Sequence, residues 1–273
     1  MPTLNEASDM PHADTWNQRG ARIAFGLGMT SVGILTLVYG PSVLLVKPLP
    51  PWVPAGGSLG YFAGALMVLT GIGLLSDHTV RLSIGILLPL LVAWLLVRVR
   101  MPVADPGREI NWFFAGVAGV PTAAALVLFA RYASPRPGSW FAMAGPLSVR
   151  IAWLLFGLSV PTFGLSHFFE FAARTVSLVP AWLPFRTGWA YLAGAGQVAA
   201  GLGVLFRVYP RLAATAEATM LGMFAVLVWV PAVIGNPGLQ SNWVEFLVTF
   251  ALAGASWVVA GSIPGGRPPR RSA

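Results

Sequence analysis

The 273-residue chain contains no cysteine. That excludes disulfide bridges, thiolate metal sites, iron–sulfur ligation and cysteine nucleophiles together. Charge is scarce too: 10% of residues are Asp, Glu, Lys or Arg, where soluble domains carry about 25%. Histidine is limited to three residues, and His12 and His78 fall outside the apolar runs, which leaves a bis-histidine haem without a second ligand. The sequence has no Walker loop, no Rossmann fingerprint and no Gly-x-Ser-x-Gly elbow. Gly71-x-Gly73 sits within an apolar run where no phosphate would go. No nucleotide, haem or iron–sulfur cofactor is therefore expected.

Apolar residues dominate instead, at 56% of the chain with a mean hydropathy of +0.73. Apolar stretches near 22–44, 57–76, 79–98, 111–131, 150–173, 187–206, 211–231 and 243–262 each approach the ~20 residues that cross about 30 Å of hydrocarbon. In lipid, backbone groups must bond internally, so helices are expected throughout. The expectation is an all-α integral membrane protein with eight transmembrane helices. Residues 1–21 read as a polar tail with no basic n-region or cleavage pattern, so no signal peptide is expected.

The chain also repeats itself. Arg22-Ile23-Ala24 returns as Arg150-Ile151-Ala152, Trp52-x-Pro54 as Trp182-x-Pro184, and Tyr61-x-Ala63-Gly64-Ala65 as Tyr191-x-Ala193-Gly194-Ala195. Gly71-x-Gly73 matches Gly201-x-Gly203, Arg81-Leu82 matches Arg211-Leu212, and Asn111-Trp112 matches Asn242-Trp243. A register kept this well along the chain argues for duplication of one unit. The first four-helix repeat covers 22–131, the turn-rich stretch 132–149 is the linker, the second repeat covers 150–262, and 263–273 forms a basic tail. An even number of spans per copy makes these parallel tandem repeats.

The net charge of +8 does not require nucleic acid. With the N-terminus inside, Arg19, Arg22, Arg81, Arg131, Arg136, Arg150, Arg207, Arg211, Arg267, Arg270 and Arg271 fall on the cytoplasmic side. Lys47, Arg98, Arg100, Arg108, Arg174 and Arg186 fall opposite. That imbalance places both termini in the cytoplasm, and the lipid bilayer, not nucleic acid, is the expected partner.

Polar residues within spans are unequally shared. His167, Glu170, Gln197, Glu217 and Glu245 of the second copy align with Tyr39, Ser42, Met67, Leu87 and Phe114 of the first. An ionisable group at membrane depth costs about 2.5–3.5 kcal/mol on insertion scales, so it marks a functional candidate. On a continuous helix, His167, Glu170 and Arg174 share one face at i, i+3 and i+7. Glu170 and Arg174 are then spaced for an ion pair, and Glu245 and Arg186 fall at the same level. Gln197 and Glu217 form a second candidate set, for interhelical packing or proton binding. His167, Glu170 and Glu245 are ligand types suited to zinc, manganese or non-haem iron. Their spacing is no metal motif, and no metal is assigned.

Gly164-Leu-Ser-His167-Phe168, Val179-Pro-Ala-Trp182-Leu-Pro184, Trp189-x-Tyr191-x-x-Gly194, Gly201-x-Gly203 and the run from Phe224 to Trp229-Val-Pro231 resemble the DoxX-like family of bacterial membrane proteins across roughly 150–260. The first copy follows the frame more weakly, with Tyr39 in place of His167 and Ile110-Asn111-Trp112 retained. The resemblance implies a bacterial cytoplasmic membrane location and a role beside quinone chemistry, as an accessory or structural subunit of a membrane redox system. Two alternatives stand next to it. One is a quinone-binding oxidoreductase subunit using His167 and Glu170. The other is a proton-coupled small-solute carrier using Glu217.

Overall fold

The computed structural model describes residues 16–40, 57–133 and 145–264. The stretch 1–15 of the polar tail, the Trp52–Pro54 motif, Ser42, most of the linker with Arg136, and the basic tail from 265 onward lie outside the described residues. The described chain is helical, with no strand among the described residues.

In order come α1 (Trp16–Tyr39), α2 (Ser58–Gly73), α3 (Val80–Ala104), α4 (Glu109–Tyr132), α5 (Pro146–Ser166), the short α6 (Ala172–Leu178), α7 (Arg186–Leu205), α8 (Pro210–Phe224), a π turn (Ala225–Trp229), α9 (Val230–Gly235) and α10 (Gln240–Ser262). Helix α8, the π turn and α9 form one rod, Pro210–Gly235. The π turn precedes Pro231, which has no N–H to give to the carbonyl of Leu227, so the regular ladder cannot continue there. Six helices are long and apolar enough to cross a membrane: Asn17–Tyr39, Val80–Ala104, Glu109–Tyr132, Pro146–Ser166, Pro210–Gly235 and Gln240–Ser262. Helix α2 is a shorter apolar helix of 16 residues. The molecule is a helical bundle of the membrane-spanning class.

Three boundaries differ from the sequence expectation. Helix α1 begins at Trp16, inside the stretch read as a tail, because its first turn is tied to the end of α10. Gln18 donates to the carbonyl of Gly261 at 3.3 Å, and Asn17 accepts from the Trp257 indole at 2.8 Å. The linker is shorter than expected, since α5 begins at Pro146. The fifth apolar run does not continue to residue 173. Helix α5 stops at Ser166, the chain turns through His167–Phe171, and α6 follows as a separate element.

Each long helix packs on its neighbours in the bundle: α1 on α2, α2 on α3, α3 on α4, α4 on α5, α5 on α7, α7 on α8, α8 on α10 and α10 back on α1. Helix α4 also packs on α10 through the centre. Small residues make this possible. Ala118, Ala123, Ala124 and Ala125 of α4 and Ala255 of α10 are fully buried. A Cβ at Gly28 would lie 2.5 Å from Cα of Ala251, and one at Gly254 would lie 2.7 Å from the backbone N of Phe25, so α1 and α10 meet backbone to backbone. In lipid, where water does not drive helices together, such close approach is the main source of packing energy.

One face of the bundle carries the start of α1, the α2–α3 turn, the end of α4, the start of α5, the α7–α8 turn and the end of α10. It is called the proximal face below, and the opposite one distal. On the proximal face the fully buried Arg22 donates to Asp77, and Arg19 pairs with the same carboxylate at 3.3 Å. The hydrogen bond from Arg22, then the charges of Arg22 and Arg19, hold the Asp77 carboxyl below the usual carboxylate range. On the distal face two turns share a pair of side-chain bonds, and Asn242 donates in addition to the carbonyl of Ala232 at 2.8 Å. Asn111 and Trp112 donate to the carbonyls of Asp105 and Pro106 at 3.0 Å each. Asn242 and Trp243 donate to those of Asn236 and Pro237 at 3.4 and 2.9 Å.

Two outcomes follow from the packing. Gly28→Val forces α1 from α10 and should cost about 1–3 kcal/mol as an overpacking change, read as a lower melting temperature of the purified protein in detergent. Asp77→Asn should also lower the melting temperature near neutral pH. Because the folded pKa of Asp77 is depressed, its contribution is complete above the ordinary carboxylate pKa and lost as pH falls through the folded value. The gap between wild type and Asp77→Asn should therefore close on acidification, and a gap independent of pH would contradict the assignment.

Candidate functional site

The interior of the two halves differs. Among α1 to α4, Met67, Ile84, Leu87 and Leu91 are buried to 1% exposure or less, and the space is filled. Among α5, α7, α8 and α10 lies a cavity of about 1690 Å³. Helices α1, α3 and α4 complete its far wall with Met29, Trp94, Arg98, Phe113 and Phe114. The near wall is the rod from α8 to α9, which is peripheral: 22% of its apolar window is buried, against 67% for α4. The cavity therefore lies towards the periphery of the bundle.

The lining is mainly aliphatic and aromatic, with the charged, imidazole and amide side chains of Arg98, His167, Arg174, Gln197, Gln240 and Glu245 among it. Thr175, Thr215 and Thr219 also line it, but their hydroxyls donate to carbonyls of their own helices at 2.8–2.9 Å.

His167 caps the end of α5 and rests against α7, where Gly194 leaves room for it: a Cβ there would meet that of His167 at 2.6 Å. Its Nδ1 is sealed from solvent and has no hydrogen-bond partner among the described residues. Glu170 and Arg174 do not share a helical face with it, because the chain turns between them. Glu170 points away from Arg174, accepting from Arg108 Nε and from the backbone N–H of Ile110, both at 3.4 Å. It thus places a carboxylate at the N-terminus of α4, where the helix dipole favours one. Arg174 donates instead to Glu245 at 3.0 Å. The expected Glu170–Arg174 pair is replaced by two tertiary pairs, each linking the α5–α7 connection to another helix. Arg186 binds the carbonyls of Val179 at 2.9 Å and Ser177 at 2.7 Å, bracing the same connection. His167, Glu170 and Glu245 are not gathered as a ligand set. Among the described residues, no group of three or more His, Asp or Glu side chains is placed to hold a metal.

Gln197 and Glu217, the second candidate set, meet. Gln197 of α7 donates through Nε2 to Oε1 of Glu217 of α8 at 3.4 Å. Both are nearly inaccessible, at 3% and 0% exposure. Gln197 Oε1 and Glu217 Oε2 have no hydrogen-bond partner among the described residues. In the first half the aligned positions hold Met67 and Leu87, both buried.

Arg98 was missed as a site residue, having been assigned to a connecting loop. It is inside α3, 4% exposed, with its guanidinium carbon 5.2 Å from the Phe114 ring centroid and 5.9 Å from that of Trp94. The available signal was an arginine within the apolar run Ala93-Trp-Leu-Leu-Val-Arg98-Val, which continues past the boundary drawn at residue 98.

A family model described as "Domain of unknown function (DUF8561)" matches residues 156–238. That stretch includes His167, Glu170, Arg174, Gln197 and Glu217. No curated protein and no solved structure matches the chain.

The Gln197–Glu217 contact predicts coupled substitutions. Gln197→Met alone leaves Glu217 buried without its partner and should cost about 1–2 kcal/mol. Adding Glu217→Leu reproduces the apolar pair of the first half and should recover most of that loss. Thermal melting of the four proteins in detergent completes the cycle; strict additivity would mean that the two side chains do not interact.

Proposed function

We propose that the protein is a multi-pass protein of the bacterial cytoplasmic membrane whose second half binds a hydrophobic molecule between its helices. The observation that carries this reading is the cavity of about 1690 Å³, apolar along most of its wall and bordered by a peripheral rod. Ligand sites are concave, mostly apolar and furnished with a few placed polar groups, a description this cavity fits with His167 and Gln197.

The same proposal includes an eight-span architecture in two parallel tandem units, with α2 and α7 joining the six longer helices. It is supported by the matched turns at Asn111-Trp112 and Asn242-Trp243, and by the equivalent neighbours of α1 and α5. The arginine imbalance supports cytoplasmic termini. The DoxX-like resemblance supplies a setting, an accessory subunit beside a membrane redox system, with a quinone as the bound molecule. His167, which lines the cavity, is the residue for that contact; Glu170 is engaged with Arg108 and α4. The carrier reading draws less support, since the cavity wall is largely apolar and Glu217 is sealed within the packing.

The test is titration of the protein in nanodiscs with a short-chain quinone, read as quenching of tryptophan fluorescence. Trp94, Trp182, Trp189 and Trp229 line the cavity and should report on it. Saturable quenching is expected, weakened about tenfold or more by Val248→Phe, which fills space on the α10 wall. Quenching that rises linearly with membrane quinone and ignores Val248→Phe would reduce the effect to bulk partitioning and sink the proposal.

A further inference from the structure

We propose that the bound molecule carries a hydroxyl group and donates its hydrogen to the side-chain oxygen of Gln197, which Glu217 holds in place to receive it. This rests on the cavity being a ligand site and names the class of lipophile that the site selects. That class is an alcohol, a phenol or, where the molecule is of the quinone type, its reduced quinol. Gln197 lines the cavity and is 3% exposed. Its Nε2 donates to Oε1 of Glu217 at 3.4 Å, while its own Oε1 has no hydrogen-bond partner among the described residues. An amide oxygen can only accept. Left unmet at the wall of an apolar cavity, it carries a desolvation cost that a donor on the ligand removes.

The amide is oriented from behind. Glu217 comes from α8, is fully buried and does not itself line the cavity. Because the nitrogen of Gln197 is directed to Glu217, the oxygen is the atom left for the cavity. Turning the amide over would set its oxygen against the acceptor oxygen of Glu217, so the acid fixes which end a ligand meets. The adjoining wall has the same character. Thr215 and Thr219 line the cavity from α8, and their hydroxyl hydrogens go to the carbonyls of Arg211 and Thr215 at 2.8 Å, which leaves lone pairs facing outwards. His167 does not discriminate. Its Nδ1 is unpartnered among the described residues, and a neutral imidazole presents either a donor or an acceptor there. A quinone or an ether offers acceptors alone, and the Gln197 oxygen gains nothing from either.

There is room for a head group at this wall. Ala193 and Gly196 of α7 and Ala216 of α8 line the cavity with Gln197. Gly194 and Gly201 of the same helix are demanded by α5, since a Cβ would meet His167 Cβ at 2.6 Å and Pro161 Cδ at 2.3 Å. A Cβ at Gly196 would meet only the end of Met220, at 3.8 Å. The first half supplies the contrast. Met67 and Leu87 stand at the positions aligned with Gln197 and Glu217, both buried in a filled interior. A polar pair with two unmet oxygens is a poorer way to join helices than that apolar pair, so packing does not account for it. The polar pair and the open cavity occur together in the second half.

Para-dodecylphenol and its methyl ether share one chain and one oxygen and differ in the donor hydrogen. Both are titrated by isothermal calorimetry, in detergent, into wild type and three variants. Wild type should bind the phenol about tenfold more tightly than the ether, the effect of meeting one buried acceptor. The double variant Gln197→Met with Glu217→Leu, which carries the apolar pair of the first half, should bind the two probes alike. Its ether affinity should stay at the wild-type level, which shows that the cavity is still formed. Glu217→Leu alone frees the amide to turn and should reduce the preference several-fold. The exchanged pair, Gln197→Glu with Glu217→Gln, keeps a donor–acceptor contact between the helices and an oxygen towards the cavity, so it should restore the preference. If Glu217→Leu does not accumulate, the double variant and the exchanged pair carry the test. Native mass spectrometry from nanodiscs containing a quinol and a diacylglycerol separates the sources of the hydroxyl. Retention of the quinol identifies a reduced quinone, retention of the diacylglycerol identifies a membrane lipid, and retention of neither counts against a hydroxyl ligand. Equal affinity of wild type for phenol and ether overturns the donor assignment and leaves the cavity as a lipophile site. A preference that survives in the double variant overturns it likewise, and one that survives in Glu217→Leu removes the positioning role of Glu217. If neither probe binds wild type, the ligand-site reading falls with it.

Discussion

Close approach of helix backbones along the α1–α10 seam and through the α4–α10 centre is the constraint on which the remaining structure depends. Hydrocarbon gives little hydrophobic drive for one apolar helix to bury itself against another, so contact has to come from fit. Here the fit comes from alanine and glycine: Ala118, Ala123, Ala124 and Ala125 on α4, Ala251, Gly254 and Ala255 on α10, and Gly28 on α1. With the centre closed by small side chains, the larger ones are displaced to the flanks. On one flank Met67, Ile84, Leu87 and Leu91 fill the space between α2, α3 and α4. On the other flank the chain leaves it open.

The open flank follows from what replaces those fillers. Gln197 and Glu217 stand where the first half has Met67 and Leu87, and they turn towards each other across α7 and α8 because lipid offers neither a partner. That contact ties the middle of α8 to α7, while beyond it the rod passes through a π turn and stays peripheral. The rod packs on α10 and borders the cavity from the periphery. Ion pairs then frame the distal end. Arg174–Glu245 joins the α5–α7 connection to α10, and Arg108–Glu170 joins it to the α3–α4 turn. Exposed pairs of this kind add modest energy, about 0–1 kcal/mol; their consequence here is geometric, since they tie the connection to α10 and to the α3–α4 turn.

Much of the helical layout could be read from residue pattern. Apolar runs of near membrane length mark helices wherever the described residues extend, and Asn-Trp recurring after Asp-Pro-Gly and Asn-Pro-Gly marks two turns that bond alike. The positions of interest in the second half were also visible, because an ionisable residue aligned with an apolar one needs only one dimension to detect. Pairings were not visible in that way. Glu170 and Arg174 are four residues apart, and a continuous helix would have joined them; Ile110 and Arg108, 60 and 62 residues earlier in the chain, draw Glu170 away once α5 has ended. That Gln197 and Glu217 bond to each other, twenty residues apart, depended on the turn between α7 and α8 that sets the two helices side by side. Arg98 stood at the last position of its expected span, 79–98, whereas helix α3 runs to Ala104 and places it well inside.

By itself the sequence determined that the chain is helical and apolar in the manner of a membrane-spanning bundle, that cysteine chemistry is excluded, and that His167, Gln197, Glu217 and Glu245 stand where the first half has Tyr39, Met67, Leu87 and Phe114. These are local properties, set by composition and period along one chain direction. The tertiary structure alone decided that the second half is hollow where the first is filled, which carboxylate meets which cation, and that an arginine of α3 closes a cavity built mainly by α5 to α10. Those outcomes depend on distances between residues remote in sequence, set by how closely the small-residue seams allow the helices to approach.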